Sequence, residues 1–228
     1  MWGGQIGWLS ANTSSFDTNR VDLPNEPVTV HGLYVDQTGV FSNDLVVVTG
    51  DGTAGGNVWL IPFPSATAST NATLLASLGQ TPGRSEPLEG VITIPSNSAR
   101  YGPWAGKILA GAEREPKLFT IDTNRVATAY AFVGQVEDLD LIPANQDLYC
   151  TDANNGVIWK VSRNYFTNYV GDLLVTIERD QPPPASELVI VHWNGENFVT
   201  ATLVNTNATS YVVQFEHVTF SPTSYPSH

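Results

Sequence analysis

Three short segments of this chain share one form. "EGVITIP" (89–95), "EDLDLIP" (137–143) and "EHVTFSP" (216–222) each read Glu, one variable residue, Val or Leu, three more residues, then Pro. A fourth, "HGLYVD" (31–36), has His31 in place of the glutamate. Carboxylates brought together repel one another, and each raises its neighbour's pKa unless a proton or a cation sits between them. Oxygen donors alone suit Ca²⁺ or Mg²⁺, while an added imidazole shifts the preference toward Zn²⁺, Mn²⁺ or Fe²⁺. Glu89, Glu137, Glu216 and His31 are therefore candidate metal ligands, provided the fold makes them converge. Two other readings stay open. The glutamates could be an inherited feature of a repeat, capping backbone amides, or an acidic mouth that takes a polar ligand directly.

The elements that position these residues also repeat. An aromatic residue followed by a polar residue and Leu or Ile recurs in "WGGQI" (2–6), "FSNDL" (41–45), "WAGKI" (104–108) and "YVGDL" (169–173), with "ANQDL" (144–148) lacking the aromatic. Each runs into a β-rich stretch bounded by Gly, Asn or Asp, which is a strand signal. A third strand follows in "NVWLI", "KLFTI", "VIWKV" and "ELVIVHW". A fourth comes after a tight turn, supplied by "DTNRV" at 17–21 and 122–126 and by Asn-Gly in "WNGENF" (193–198). Four short antiparallel strands, A to D, repeating about every 45 residues are the blades of a β-propeller.

The expected fold class is all-β, one β-propeller domain over 1–228. Five blades are expected, at 216–228 with 1–23, 31–78, 89–133, 137–168 and 171–213, with four or six as alternatives. "RNYFTNYV" (163–170) is left to serve as D of one blade or A of the next. The C-terminal "EHVTFSP" is expected to supply strand A to the N-terminal strands, closing the ring and removing two free edges.

In such a blade the start of A and the end of B share one face of the disc. Ends of B carry Asp51, Glu113, Asp152 and Glu178, with Asn12 in the remaining blade, so these acids form a candidate ligand-binding rim. His217 should point away from the channel if Glu216 points in. His192 reads as a surface or packing residue, His228 as terminal, and Cys150 as a buried structural thiol. "VTGDGTAGGN" (48–57) lacks the following helix and Lys-Ser/Thr of a phosphate cradle. No catalytic residue is assigned.

Composition narrows the partners. The chain has 228 residues, 14% of them charged, and a net charge of −12, with lysine only at 107, 117 and 160. It has no basic footprint for nucleic acid, so cations, a small polar ligand, a glycan or another extracellular protein are the better partners. No apolar run approaches a membrane span. One cysteine leaves the compartment open, and Asn12, Asn71 and Asn207 stand in glycosylation triplets. "MWGGQIGWLS" is not a leader, and the acidity fits a secreted or otherwise extracytoplasmic protein whose leader has been removed.

"HGLYVD", "EGVITI", "EDLDLI" and "DLYCTDANNGVIWKV" together resemble the repeats of the gluconolactonase/senescence-marker and NHL-type propellers. The resemblance implies a divalent metal on the axis, held from the starts of strand A, that activates lactone or ester hydrolysis. Glu89, Glu137 and Glu216 would be its ligands and His31 a neighbour. This chain departs from that group in its smaller expected blade count and in having acid or His where the group has Asn. The reading is a propeller binding module with an acidic axial face for a divalent cation (Ca²⁺, Mn²⁺ or Zn²⁺) or a polar ligand. A metal-dependent lactone or ester hydrolase and a purely structural module are the alternatives.

Overall fold

The computed structural model describes residues 5–9, 16–26, 30–63, 72–79, 84–178, 186–205 and 213–222. Val30–Val35 (β3), Leu45–Gly50 (β4), Gly55–Ile61 (β5) and Thr73–Ser77 (β6) form one antiparallel sheet in chain order. Leu88–Thr93 (β7), Ile108–Ala112 (β8), Lys117–Ile121 (β9) and Ala127–Ala131 (β10) form a second. The inner strands β3 and β7 are edge strands that neighbour each other, as the A strands of adjacent blades should. Gln5–Leu9 (β1) and Phe16–Asp22 (β2) pair as a separate ribbon.

The remaining strands interleave. Gln135–Leu141 (β11) does not pair with the next strand, Gln146–Asp152 (β12), but with Leu173–Glu178 (β14). Glu187–Trp193 (β15) and Phe198–Asn205 (β16) complete that third blade. β12 and Val157–Val161 (β13) belong to a fourth sheet, whose inner strand is Phe215–Pro222 (β17). The β-propeller arrangement thus has four blades, not five. The segments 137–168 and 171–213 are not successive blades but exchange strands. Closure of the ring through the C-terminal strand is also corrected, because "EHVTFSP" pairs with β12, at Cys150↔Val218 among others, and not with the N-terminal ribbon.

A short loop did not decide the partner of β11. Four residues (142–145) lead to β12 and 31 residues (142–172) lead to β14. Closing the longer loop costs only about 2 kcal/mol more, at about 0.6 kcal/mol per doubling. Burying one extra Leu or Ile side chain recovers that. β14 is buried along almost its whole length, with Leu173, Val175 and Ile177 in the core against blade two and Leu174 in the core against blade four. β13, by contrast, is exposed, and Ile158 keeps 69% of its surface in water. Among the described residues blade four has no fourth strand.

The cores lie between blades. Val48, Val58, Leu88, Ile108 and Phe119 join the first and second, and Leu109, Leu118, Leu139, Val175 and Val189 join the second and third. Leu148, Cys150, Leu174, Ile190, Phe215 and Val218 join the third and fourth. Val21 and Leu23 cover the other face of blade one, over Val47, Trp59 and Ile61. β4, β8 and β14 are buried on both faces, which explains continuous apolar runs such as "LVVVTG".

Turn chemistry explains the aromatic motif. Its third residue is left-handed in each described copy that carries the aromatic: Asn43, Gly106 and Gly171 have φ of 60°, 69° and 82°. Gly and Asn are the residues that tolerate that conformation. The pentapeptide "DTNRV" behaves in two ways. At 122–126 Asp122 Oδ1 accepts from Asn124 N and Val126 N in a turn. At 17–21 it lies inside β2, a correction to the turn expected there. "RNYFTNYV" is neither strand D nor strand A: Arg163–Phe166 is a 3-10 turn that buries Phe166.

The β12–β17 pairing is directly testable. Cys150 and Val218 are cross-strand partners buried in one core, within the Cα separation a disulfide spans. V218C should therefore oxidise to an intrachain disulfide with Cys150, read as loss of both free thiols without dimer formation. Two thiols that persist under oxidant would refute this register.

Candidate functional site

The inner strands carry their acids to one end of the axis. His31 follows the first residue of β3, Glu89 the first of β7, and Glu216 the first of β17; Glu137 is the third of β11. Glu113 follows β8 and Glu178 ends β14. Because β11 pairs with β14, the B-strand acid beside Glu137 is Glu178, not Asp152. His31 Nδ1 lies 3.1 Å from Glu89 Oε1. His31, Glu89 and Glu113 each offer a ligand atom, and these atoms lie within 4.8 Å of one another. Glu137 adjoins Glu89 on one side and Glu178 on the other, and Gln214 Nε2 donates to Glu178 Oε1. Glu216, also part-buried, feels the charges of Glu178 and Glu89 from further round the arc and is not in the close set.

The electrostatics follow from crowding. Burial, and then the Glu89 and Glu178 carboxyls, push Glu137 far above the ordinary carboxylate range. Burial also raises Glu113 and Glu216, with Glu89 adding to the first and Glu178 to the second. At Glu89 burial opposes the charge, but hydrogen bonds from His31 and Glu137 outweigh it and hold the carboxyl below that range. The Glu89 bond in turn raises the His31 imidazole. Glu137 is 3% exposed, and among the described residues no N–H or hydroxyl donates to its Oε1. A carboxyl in that position must carry a proton, shared with its neighbours, or face a cation.

A cavity of about 250 Å³ opens beside the cluster, lined by His31, Glu89, Glu137, Asp138 and His217 among others. His217 was expected to point away from the axis. The irregular register of β17 on β12 between Cys150 and Asp152 breaks the strict alternation that expectation used. Of the expected rim residues, one turns away from that end. Asp152 is buried, accepting from Trp159 Nε1 at 2.9 Å and Asn155 Nδ2 at 2.8 Å. Asp51 stays exposed at the His31 end, where its charge adds to the rise of that imidazole, and it also caps its own turn, accepting from Thr53 N and Ala54 N. Asn12 lies outside the described residues.

Sequence reasoning passed over two acids. Asp138 Oδ2 accepts from Val218 N at 2.9 Å and Asp140 Oδ2 from Phe220 N at 3.4 Å, so β11 holds the free edge of β17 with side chains. The signal was the i, i+2 spacing in "EDLDLIP". Glu26 was also missed; its Oε2 collects Trp59 Nε1, Thr49 Oγ1 and Asn57 Nδ2. Nothing in the sequence marks it.

The chain matches no protein-family model, no curated protein and no solved structure in the comparisons. No helix among the described residues is long and apolar enough to cross a membrane.

The raised Glu137 carboxyl has a pH signature. Its folded pKa lies above the unfolded value near 4.5, so the stability it contributes is complete below that value and declines as pH rises. His31, also raised, loses its contribution in the same direction above its ordinary 6.5. In chelator the melting temperature should therefore fall between about pH 5 and about pH 8. E137Q, which cannot ionise, should melt higher at the upper pH and flatten the slope. An E137Q slope equal to wild type would show that Glu137 is not the crowded group.

Proposed function

We propose that this propeller is a binding module whose acidic axial end takes a divalent cation, and through it a small polar ligand at the cavity beside His31, Glu89 and Glu137. The observation that carries this reading is the buried Oε1 of Glu137, which takes no N–H or hydroxyl donor among the described residues, beside the close set of His31, Glu89 and Glu113. Two like charges about 5 Å apart repel by about 3 kcal/mol at an effective dielectric constant of about 20, and a dication between them reverses that sign. A set of one imidazole and two carboxylates favours Mn²⁺ or Zn²⁺ over Ca²⁺. Such an ion would replace the His31–Glu89 hydrogen bond, with Glu137 and Glu178 as further oxygen donors at its edge. A net charge of −12 draws cations to the molecule as a whole. The same partners, a polar ligand or a glycan, fit an extracytoplasmic setting. The lactone or ester hydrolysis implied by the resemblance would require this ion first, since the metal would supply the activated water.

Melting curves in Mn²⁺, Zn²⁺, Ca²⁺ and chelator test the site. Mn²⁺ or Zn²⁺ should stabilise the protein by about 2.7 kcal/mol at a hundredfold excess over the dissociation constant. E113Q should lose most of that response, while E216Q, outside the close set, should keep it. Identical melting in all four buffers would leave the acidic end as structure alone.

A further inference from the structure

At the opposite end of β14 from Glu178 lies an acid with different company. Asp172 precedes β14, so the two residues are six apart, or about 20 Å along the strand. Asp172 is buried, and its Oδ1 accepts from Arg100 Nη2 at 3.1 Å and sits 2.9 Å from His192 Nδ1. An oxygen that accepts from a guanidinium is a carboxylate acceptor, so the imidazole must donate through Nδ1. That leaves Nε2 with its lone pair. The His192 side chain is 48% exposed and lines an open groove of about 540 Å³, together with Arg100, Tyr169, Thr200 and Ala201.

The same motif position elsewhere shows that this arrangement is particular to blade three. Asp44 Oδ1 accepts from the backbone of Phe63, and Asp147 Oδ1 from the backbone of Arg163, each just beyond strand C of its blade, while Lys160 Nζ, a donor with no lone pair when charged, lies 2.8 Å from Asp147 Oδ2. In those blades the acid fastens a chain segment, with a lysine as its side-chain partner in blade four. In blade three the partner on strand C is a half-exposed imidazole, a side chain with a second ring nitrogen. Arg100 is itself fixed: its Nε donates to Gly171 O at 3.1 Å and its Nη2 also reaches Val170 O. The carboxylate, guanidinium and imidazole thus form a rigid group on three separate elements, and structural fastening alone does not require the imidazole.

We propose that Asp172 and His192 form a second, metal-independent site, in which His192 Nε2 acts as a general base on water for hydrolysis of small acyl esters bound in the groove. Nε2 takes a proton from a water molecule as the water oxygen bonds to the acyl carbon. The bond from that carbon to the leaving oxygen then breaks, and the departing alkoxide or phenolate recovers the proton from Nε2. One water is consumed, an acid and an alcohol leave, and His192 is neutral again. Arg100, on the groove wall, fixes Asp172 beneath the imidazole. Asp172 is a positioning residue that sets the tautomer.

The test uses the full chain with p-nitrophenyl acetate in excess chelator. Wild type should hydrolyse the ester with a rate unchanged by chelator, and H192Q should lower that rate by about a hundredfold or more. H192Q alters a half-exposed side chain, so its fold can be verified by an unchanged melting temperature. Long-range ¹H–¹⁵N spectra in mildly alkaline buffer should show His192 protonated at Nδ1 and bare at Nε2, and D172N should shift it toward the other tautomer. Equal rates for wild type and H192Q, or a wild-type His192 protonated at Nε2, would overturn the proposal. Activity lost to chelator would place hydrolysis at the axial ion instead and overturn it equally. Failure of the axial cation site leaves all three measurements unaffected.

Discussion

Two missing side chains set the geometry of the axial end. A Cβ on Gly32 would stand 2.0 Å from the carbonyl oxygen of Glu89, and one on Gly90 would stand 2.8 Å from Cα of Asp138. Each contact is with a neighbouring inner strand's backbone, which cannot swing aside as a flexible side chain can. β3 therefore lies against β7, and β7 against β11, only because glycine follows His31 and Glu89. From that approach the rest of the site follows. Strands this close bring the residues before the glycines, His31 and Glu89, into hydrogen-bonding contact and set Glu89 beside Glu137. The crowding that raises Glu137 is thus a consequence of backbone packing.

The interleaving of blades three and four has a comparable logic at larger scale. β11 and β17 are neighbours at the axis, yet each stands in the other's chain neighbourhood: β11 is followed in sequence by strands of blade four, and β17 is preceded by strands of blade three. Neither blade can be completed without the chain passing through the other. The core of Leu148, Leu174, Ile190, Phe215 and Val218 then forms only when both are assembled. Asp138 and Asp140 add a directional element, because their carboxylates accept the outward N–H groups of β17 that no strand accepts. Unpaired buried amides are costly, so these two acids fix where β17 lies along β11.

What the sequence disclosed was local. The form shared by 89–95, 137–143 and 216–222 does mark inner strands, and Trp59, Phe119 and Trp159 do lie in strand C. That starts of A and ends of B share one end also holds, since this follows from antiparallel pairing alone. The partners of β11 and β17 were not legible. A strand's own pattern states how deeply it is buried but not beside which strand, and loop length weighs too little to decide. Asp152 misled because an acid ending strand B can face the axis or turn back to its own hairpin. Trp159 Nε1 and Asn155 draw it inward, and both are ordinary residues until the fold is known. "DTNRV" shows the same limit, one pentapeptide forming a turn at 122–126 and a strand at 17–21.

The two ends of β14 show how one residue type acquires two chemistries. Glu178 ends the strand among the crowded carboxyls of Glu137, Glu113 and Glu216, with Gln214 Nε2 donating to it. Asp172 precedes the strand between a guanidinium and an imidazole, where both neighbours donate. At the first end the unmet demand is for positive charge, so the fold leaves a place for a cation or a proton. At the second the acid is already met by two donors, and the half-exposed imidazole lines an open groove. The strand between them is apolar and buried on both faces, so neither end can relieve the other through it. A propeller blade holds its ends apart in this way, which lets one sheet keep crowded carboxyls at one end and an acid paired with a guanidinium and an imidazole at the other.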